Sequence, residues 1–159
     1  NVSGTEVCPG DGYLYMHNLK NKSIKYTGLD INPVFVRAAQ KRNISFFQHN
    51  LSTDPVIPAD YVIIHASLYQ FMPNEHLIIK KLLEATKNTL IISEPIRNLA
   101  DSKNSIISVF AKYSANPGST HAIKRFNKET LLACFKQYPE LNQVQEIEGG
   151  REMVGIFKK

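Results

Sequence analysis

Two apolar runs, Tyr61-Val-Ile-Ile64 and Thr89-Leu-Ile-Ile-Ser93, bracket a strongly periodic segment from Glu75 to Thr86. A strand that is apolar at successive positions has no side to give to water. Both its faces must be covered, which is the condition of a strand inside a parallel sheet. In the intervening segment Leu77, Ile78, Leu82 and Ala85 fall on one face of a helix. Strand, helix and strand in this order form a parallel crossover, and a sheet built from such units carries helices on both faces.

The same alternation runs through the first half of the chain. Thr5 to Cys8 reads as a strand, and a glycine turn follows it. Tyr13 to Leu19 then has helical spacing at Tyr13, Met16 and Leu19. Ile24 to Ile31 is a second strand ending at Asp30, and Asn32-Pro33 opens a helix through Val36, Ala39 and Gln40 to Arg42. Ile44 to Gln48 is a β-branched and aromatic third strand, and Pro55 to Ala59 is loop. This order predicts a doubly wound α/β sandwich of three layers whose ligand lies at the C-terminal ends of the strands. Beyond strand five, Ser102 to Tyr113 and Lys128 to Gln137 read as helices. Asn142 to Ile147 and Glu152 to Phe157 flank Gly149-Gly150 as an antiparallel hairpin. No repeat, low-complexity segment or interior linker divides residues 1–159, so a single domain is expected.

No apolar run approaches the ~20 residues that span a bilayer, and no basic segment precedes an apolar one at the start. The expectation is a soluble, cytoplasmic protein with no membrane contact. Cys8 and Cys134 make neither a disulfide framework nor a zinc spacing and are expected as reduced, buried thiols. Nineteen Lys and Arg against fourteen Asp and Glu give a net charge of +5. These basic residues are scattered and often end helices, the distribution of a solvated surface rather than of a nucleic-acid patch.

The loop Glu6-Val7-Cys8-Pro9-Gly10-Asp11-Gly12-Tyr13 carries the ligand question. A dinucleotide loop needs a third glycine where this chain has Tyr15, and a phosphate loop needs a Gly-Lys-Ser/Thr that is absent. S-adenosylmethionine (SAM) carries no phosphate. Its ammonium suits an acid at the end of the first strand, Glu6, and its methionine end can lie close to Gly10-Asp11-Gly12. Its two ribose hydroxyls suit a carboxylate at the end of the second strand, Asp30. Asp11 serves equally as the cap of the following helix.

These residues resemble the class I, Rossmann-like SAM-dependent methyltransferases over nearly the whole chain, in particular bacterial small-molecule enzymes. The family's first strand reads as an acid, an apolar residue and then G-x-G-x-G, and Asp30 in GLDINP matches its ribose acid. The resemblance implies a mostly parallel seven-stranded sheet of order 3-2-1-4-5-7-6 with the last strand antiparallel. It implies SAM as cofactor, with Ile31 beside the ribose acid, Asn50 near the adenine amino group, and Leu51 against the ring. His65-Ala66-Ser67-Leu68-Tyr69 falls where the family closes over the sulfonium. Cys8 stands in place of the first glycine. Being small, it is expected to continue strand geometry without a positive φ, while Pro9 removes an amide donor.

His65 and Tyr69 are therefore the candidate catalytic residues, with His65 as the proton acceptor or else a hydrogen-bonded residue packing under the adenine. Tyr69, Glu94, Arg97, His121 and Arg125 are candidate acceptor contacts; Glu94 and Arg97 serve as well in a local ion pair or loop hydrogen bond. The segment after strand four lacks the Asn/Asp-Pro-Pro-Tyr/Phe of the family's base- and glutamine-modifying members. The expected reaction is methyl transfer to a small-molecule O or N acceptor, with an RNA methyltransferase or a non-catalytic SAM- or partner-binding module as alternatives. Family members usually carry a helical cap before strand one. This chain begins at that strand, so the expected pocket is open or completed by another chain, a second copy included.

Overall fold

The computed structural model describes residues 2–96, 125–147 and 149–159. The expected Ser102–Tyr113 helix, Arg97 and His121 lie outside them. Seven strands form one sheet: β1 (Val2–Val7), β2 (Ile24–Asp30), β3 (Phe46–Gln48), β4 (Ala59–His65), β5 (Thr86–Pro95), β6 (Leu141–Ile147) and β7 (Glu152–Lys158). Their order is β3-β2-β1-β4-β5-β7-β6. All neighbours are parallel except β5–β7 and β7–β6. Burial explains why the hairpin inserts in that sense. Met153, Val154 and Phe157 of β7 are buried on both faces, whereas β6 exposes Asn142, Gln143, Gln145 and Glu146 and is an edge strand.

The larger core packs Val7, Leu29, Val62, Ile64, Leu90 and Ile92 against α2 (Glu75–Ala85) and α3 (Lys128–Phe135). Each such side chain contributes about 1.5–3 kcal/mol on burial. The buried stripe of α2 is Ile78, Ile79, Leu82 and Leu83, and Leu77, expected on that stripe, is 55% exposed. The second core lies on the opposite face, where Tyr26 and Phe46 meet Val36 and Ala39 of α1 (Pro33–Gln40) and Ile44. Asn32 caps α1 by accepting from Val34 N.

The helix expected at Tyr13–Leu19 is a single π-helical turn over Tyr15–Leu19, closed by Lys20 N donating to Tyr15 O at 2.8 Å. This wider turn brings Tyr15, Met16 and Leu19 onto the second core and leaves Tyr13 60% exposed. Gly28 makes that core possible, because a Cβ there would lie 2.5 Å from the Phe46 ring. Among the described residues no helix is long and apolar enough to cross a membrane.

Candidate functional site

At the centre of the sheet β1 leads outward to β2 and β4 leads the opposite way to β5, so the C-terminal ends of β1 and β4 flank the switch-point crevice. Both chains leave their strands there through left-handed backbone on residues other than glycine, with φ 55° at Cys8 and 50° at Ala66. That conformation costs an L-residue roughly 1–2 kcal/mol. The expectation of strand geometry at Cys8 is thereby corrected. Cys8 N still donates to Leu29 O at 2.8 Å, but the chain must then turn into buried Pro9, and Gly12 N closes the turn on Pro9 O at 3.0 Å. Burial pushes the Cys8 thiol up to about 12, so it remains protonated.

The two glycines expected to make room for a ligand have different surroundings. An added Cβ at Gly10 (φ 57°) would meet no atom within 4 Å, whereas at Gly12 (φ 78°) it would lie 3.2 Å from Phe46. The missing side chain at Gly12 makes room for the Phe46 ring. Asp30 ties this turn to β2: one carboxylate oxygen accepts from Gly10 N at 2.9 Å, the other from Asn32 N at 2.8 Å. Ile31 next to it is 58% exposed. Asp11 is exposed and accepts from Tyr13 N, which is the capping role.

Glu6 is 2% exposed and receives a hydrogen bond from the Tyr26 hydroxyl at 2.5 Å, so one of its oxygens is committed within the protein. Burial pushes its carboxyl above the usual range, and the Tyr26 bond and nearby His65 draw it partly back. Leu51 is 3% exposed and packs in the larger core. Asn50 forms an Asx turn, its side-chain oxygen accepting from Ser52 N at 3.0 Å.

Glu94 takes the second of its two expected roles, the loop hydrogen bond. Its side chain has no exposed surface, and one oxygen accepts from both Ser67 N (2.7 Å) and Leu68 N (2.5 Å). It holds the segment after β4 instead of reaching an acceptor. Burial outweighs these amide bonds and pushes the carboxyl up to about 7. The Ser67 hydroxyl donates back to His65 O at 3.0 Å. This segment is a single 3-10 turn over Leu68–Phe71, and it presents Tyr69, whose ring has the Arg125 guanidinium 4.3 Å from its centroid. Two of the expected acceptor contacts thus come together.

His65 ends β4, and its Nε2 lies 2.9 Å from Glu152 Oε1. The same oxygen accepts from the Ser93 hydroxyl. The Glu152 hydrogen bond raises the His65 pKa above the ordinary imidazole value against the effect of burial, and the negative charges of Glu152, Glu6 and Glu94 add to it. In turn the His65 bond holds the Glu152 carboxyl below the usual carboxylate range, with help from Ser93. Sequence reasoning missed Glu152, Ser93, Ser67 and Tyr26. One signal was there to use: in an antiparallel β7, the first residue lies level with the end of β5, as the pairing of Glu152 with Pro95 shows.

No protein-family model and no curated protein matches the chain. Solved structures do. The chain superposes with a TM-score of 0.73 on a putative methyltransferase of Haloferax volcanii determined in complex with the Trm112 methyltransferase activator. Identity is 13%, over 99% of this chain and 81% of that one. Magnesium protoporphyrin IX methyltransferase from Synechocystis PCC 6803, with bound S-adenosylhomocysteine (SAH), gives 0.70 at 15% identity, over 100% of this chain and 74% of the other. The plantazolicin methyltransferase in complex with a triazolic desmethyl analogue and SAH also gives 0.70 at 15%, over 99% and 77%. The identities are low, and what the superpositions share with the strand order β3-β2-β1-β4-β5-β7-β6 is architecture: the chain has the fold of the class I SAM-dependent methyltransferases.

Proposed function

We propose that the chain binds SAM at the β1–β2 end of the crevice and transfers its methyl group to a small-molecule oxygen or nitrogen acceptor. The observation that carries this reading is the Asp30 carboxylate, which closes the Gly10 turn and still has a second lone pair on each oxygen for a diol. Open space at Gly10 and the uncovered Ile31 leave room beside that carboxylate for a phosphate-free ligand. When bound, SAM supplies a methyl group on a sulfonium. Its transfer leaves SAH as a neutral thioether and one proton to be taken from an O–H or N–H acceptor.

The chain's own residues then have separable tasks. Asp30, Gly10 and Ile31 hold the cofactor, Tyr69 and Arg125 line the acceptor side, and His65 takes the proton. Positioning supplies most of the acceleration in such a transfer, since the acceptor has only to be aimed at the methyl carbon. A thermal-shift series with SAM, SAH, NADH and ATP tests the reading. The first two should raise the melting temperature; stabilisation by NADH alone would replace methyl transfer with a redox function.

A second reading keeps a protein partner. The Haloferax neighbour was solved with an activator, and the sheet ends at β3, where Phe47 is 51% exposed on an edge strand. Light scattering of the purified chain distinguishes a monomer from a self-associated form.

A further inference from the structure

We infer that Glu152 is the positioning residue for His65: it fixes the imidazole with its Nε2–H toward β7 and leaves the Nδ1 lone pair bare as the proton-accepting atom. The inference rests on the methyl-transfer reading for its purpose but on geometry for its content. His65 and Ser93 are paired residues of β4 and β5, and Ser93 pairs in turn with Val154, two residues beyond Glu152. Side chains two apart on a strand share a face. His65, Ser93 and Glu152 therefore stand side by side on one face at the ligand edge of three adjacent strands.

One carboxylate oxygen of Glu152 accepts from both neighbours, the Ser93 hydroxyl and His65 Nε2. A carboxylate has no proton to give when ionised, so the imidazole nitrogen facing it must carry the hydrogen. The neutral ring is then the Nε2–H tautomer. Nδ1 has no hydrogen-bond partner among the described residues, and the His65 side chain is 41% exposed. Ser93, on the strand between the other two, completes the arrangement by donating its hydroxyl to the same carboxylate oxygen. No member of this set is a nucleophile: the hydroxyl donates to the carboxylate, not to the imidazole.

The charges facing His65 come from three strands: Glu6 of β1, Glu94 of β5 and Glu152 of β7. All favour the imidazolium, and Glu152 does so most directly. His65 acts as a base only above its raised pKa, so the neutral, oriented form grows in as pH rises.

Long-range nitrogen–proton NMR of the imidazole rings, followed through a pH titration, reads both the tautomer and the pKa on the ligand-free protein. His65→Gln assigns the signal. In the unsubstituted chain the neutral ring should be the Nε2–H tautomer, titrating above an ordinary histidine. Glu152→Gln should move the His65 titration to lower pH, and Glu152→Asp should restore part of the shift. Ser93→Ala should move it to higher pH, because the carboxylate then loses a competing donor.

A neutral ring protonated at Nδ1 in the unsubstituted protein would overturn the inference without any variant. So would a His65 titration unchanged by Glu152→Gln. SAH calorimetry on the same samples separates the two ideas. If SAH binds while His65 ignores Glu152, only this inference falls; if His65 responds but SAH does not bind, the methyl-transfer reading falls and the pair is structural.

Discussion

The two halves of the crevice are built on different principles. On the β1–β2 side the turn is shaped mostly by backbone, a left-handed Cys8 and the open Gly10, with one carboxylate spanning 20 residues to clasp it and a single buried acid, Glu6, bonded to Tyr26. Beneath lies an aromatic floor of Tyr26 and Phe46. On the β4–β5–β7 side the parts are ionisable side chains brought from distant segments, with Ser93 and Glu152 meeting across 59 residues and Glu94 reaching back 27 to Ser67. The difference teaches where stability should depend on pH. Packing and φ do not titrate, whereas buried carboxyl and imidazole groups do.

The largest expected effect breaks the aromatic floor. Phe46→Ala should destabilise the chain by about 3–5 kcal/mol through the cavity it leaves under Gly12 and Gly28. Urea unfolding at about pH 5 and about pH 8 should return the same loss at both. A loss present at only one pH would erase the contrast between the halves.

Next comes the carboxyl of Glu94. Its folded-state pKa of about 7 lies above the ordinary 4.5, so between those values the folded chain holds more protons than the unfolded one. Its contribution is therefore greatest below the lower value and is lost as pH rises through the upper, by roughly 2–4 kcal/mol. Glu94→Gln keeps an acceptor for the Ser67 and Leu68 amides and removes this titration. Compared by the same urea measurements, the unsubstituted chain should lose more stability toward high pH than the variant does; equal slopes would mean that Glu94 is not the buried acid described.

The smaller effects sharpen the backbone side. Cys8→Val places a β-branched residue at φ 55° and should cost about 2 kcal/mol. Cys8→Gly should change stability by less than ~1 kcal/mol, because relief of the left-handed strain offsets lost packing and added chain entropy. Thermal melts of the two variants should differ clearly, with valine the lower. Equal melting points would show that the turn relaxes around Cys8.

The same contrast governs how much could be read in advance. The sheet was legible because Tyr61–Ile64 and Thr89–Ser93 admit no exposed face, and its order followed from the resemblance. Asp30 was legible because a strand end and a glycine turn 20 residues apart lie adjacent across a parallel pair. Burial was harder. Leu51 and Glu94 carry the residue types expected of contacts, and only the packing shows that one fills the core and the other binds amides. The role of Glu152 depended on register across the β7 hairpin, which no local pattern specifies. The φ of Cys8 was hidden because the change of direction where β1 ends is set by the turn through Pro9–Gly12, not by the size of the side chain that begins it.

The central claim is that the Asp30 clasp is a cofactor site, and calorimetry with SAH on the unsubstituted chain and on Asp30→Ala tests it most directly. The expected result is saturable binding that weakens at least about tenfold in the variant, a loss of roughly 1.4 kcal/mol or more, with no heat from NADH in either. SAH binding of equal strength in both proteins, or NADH binding in place of SAH, would contradict it.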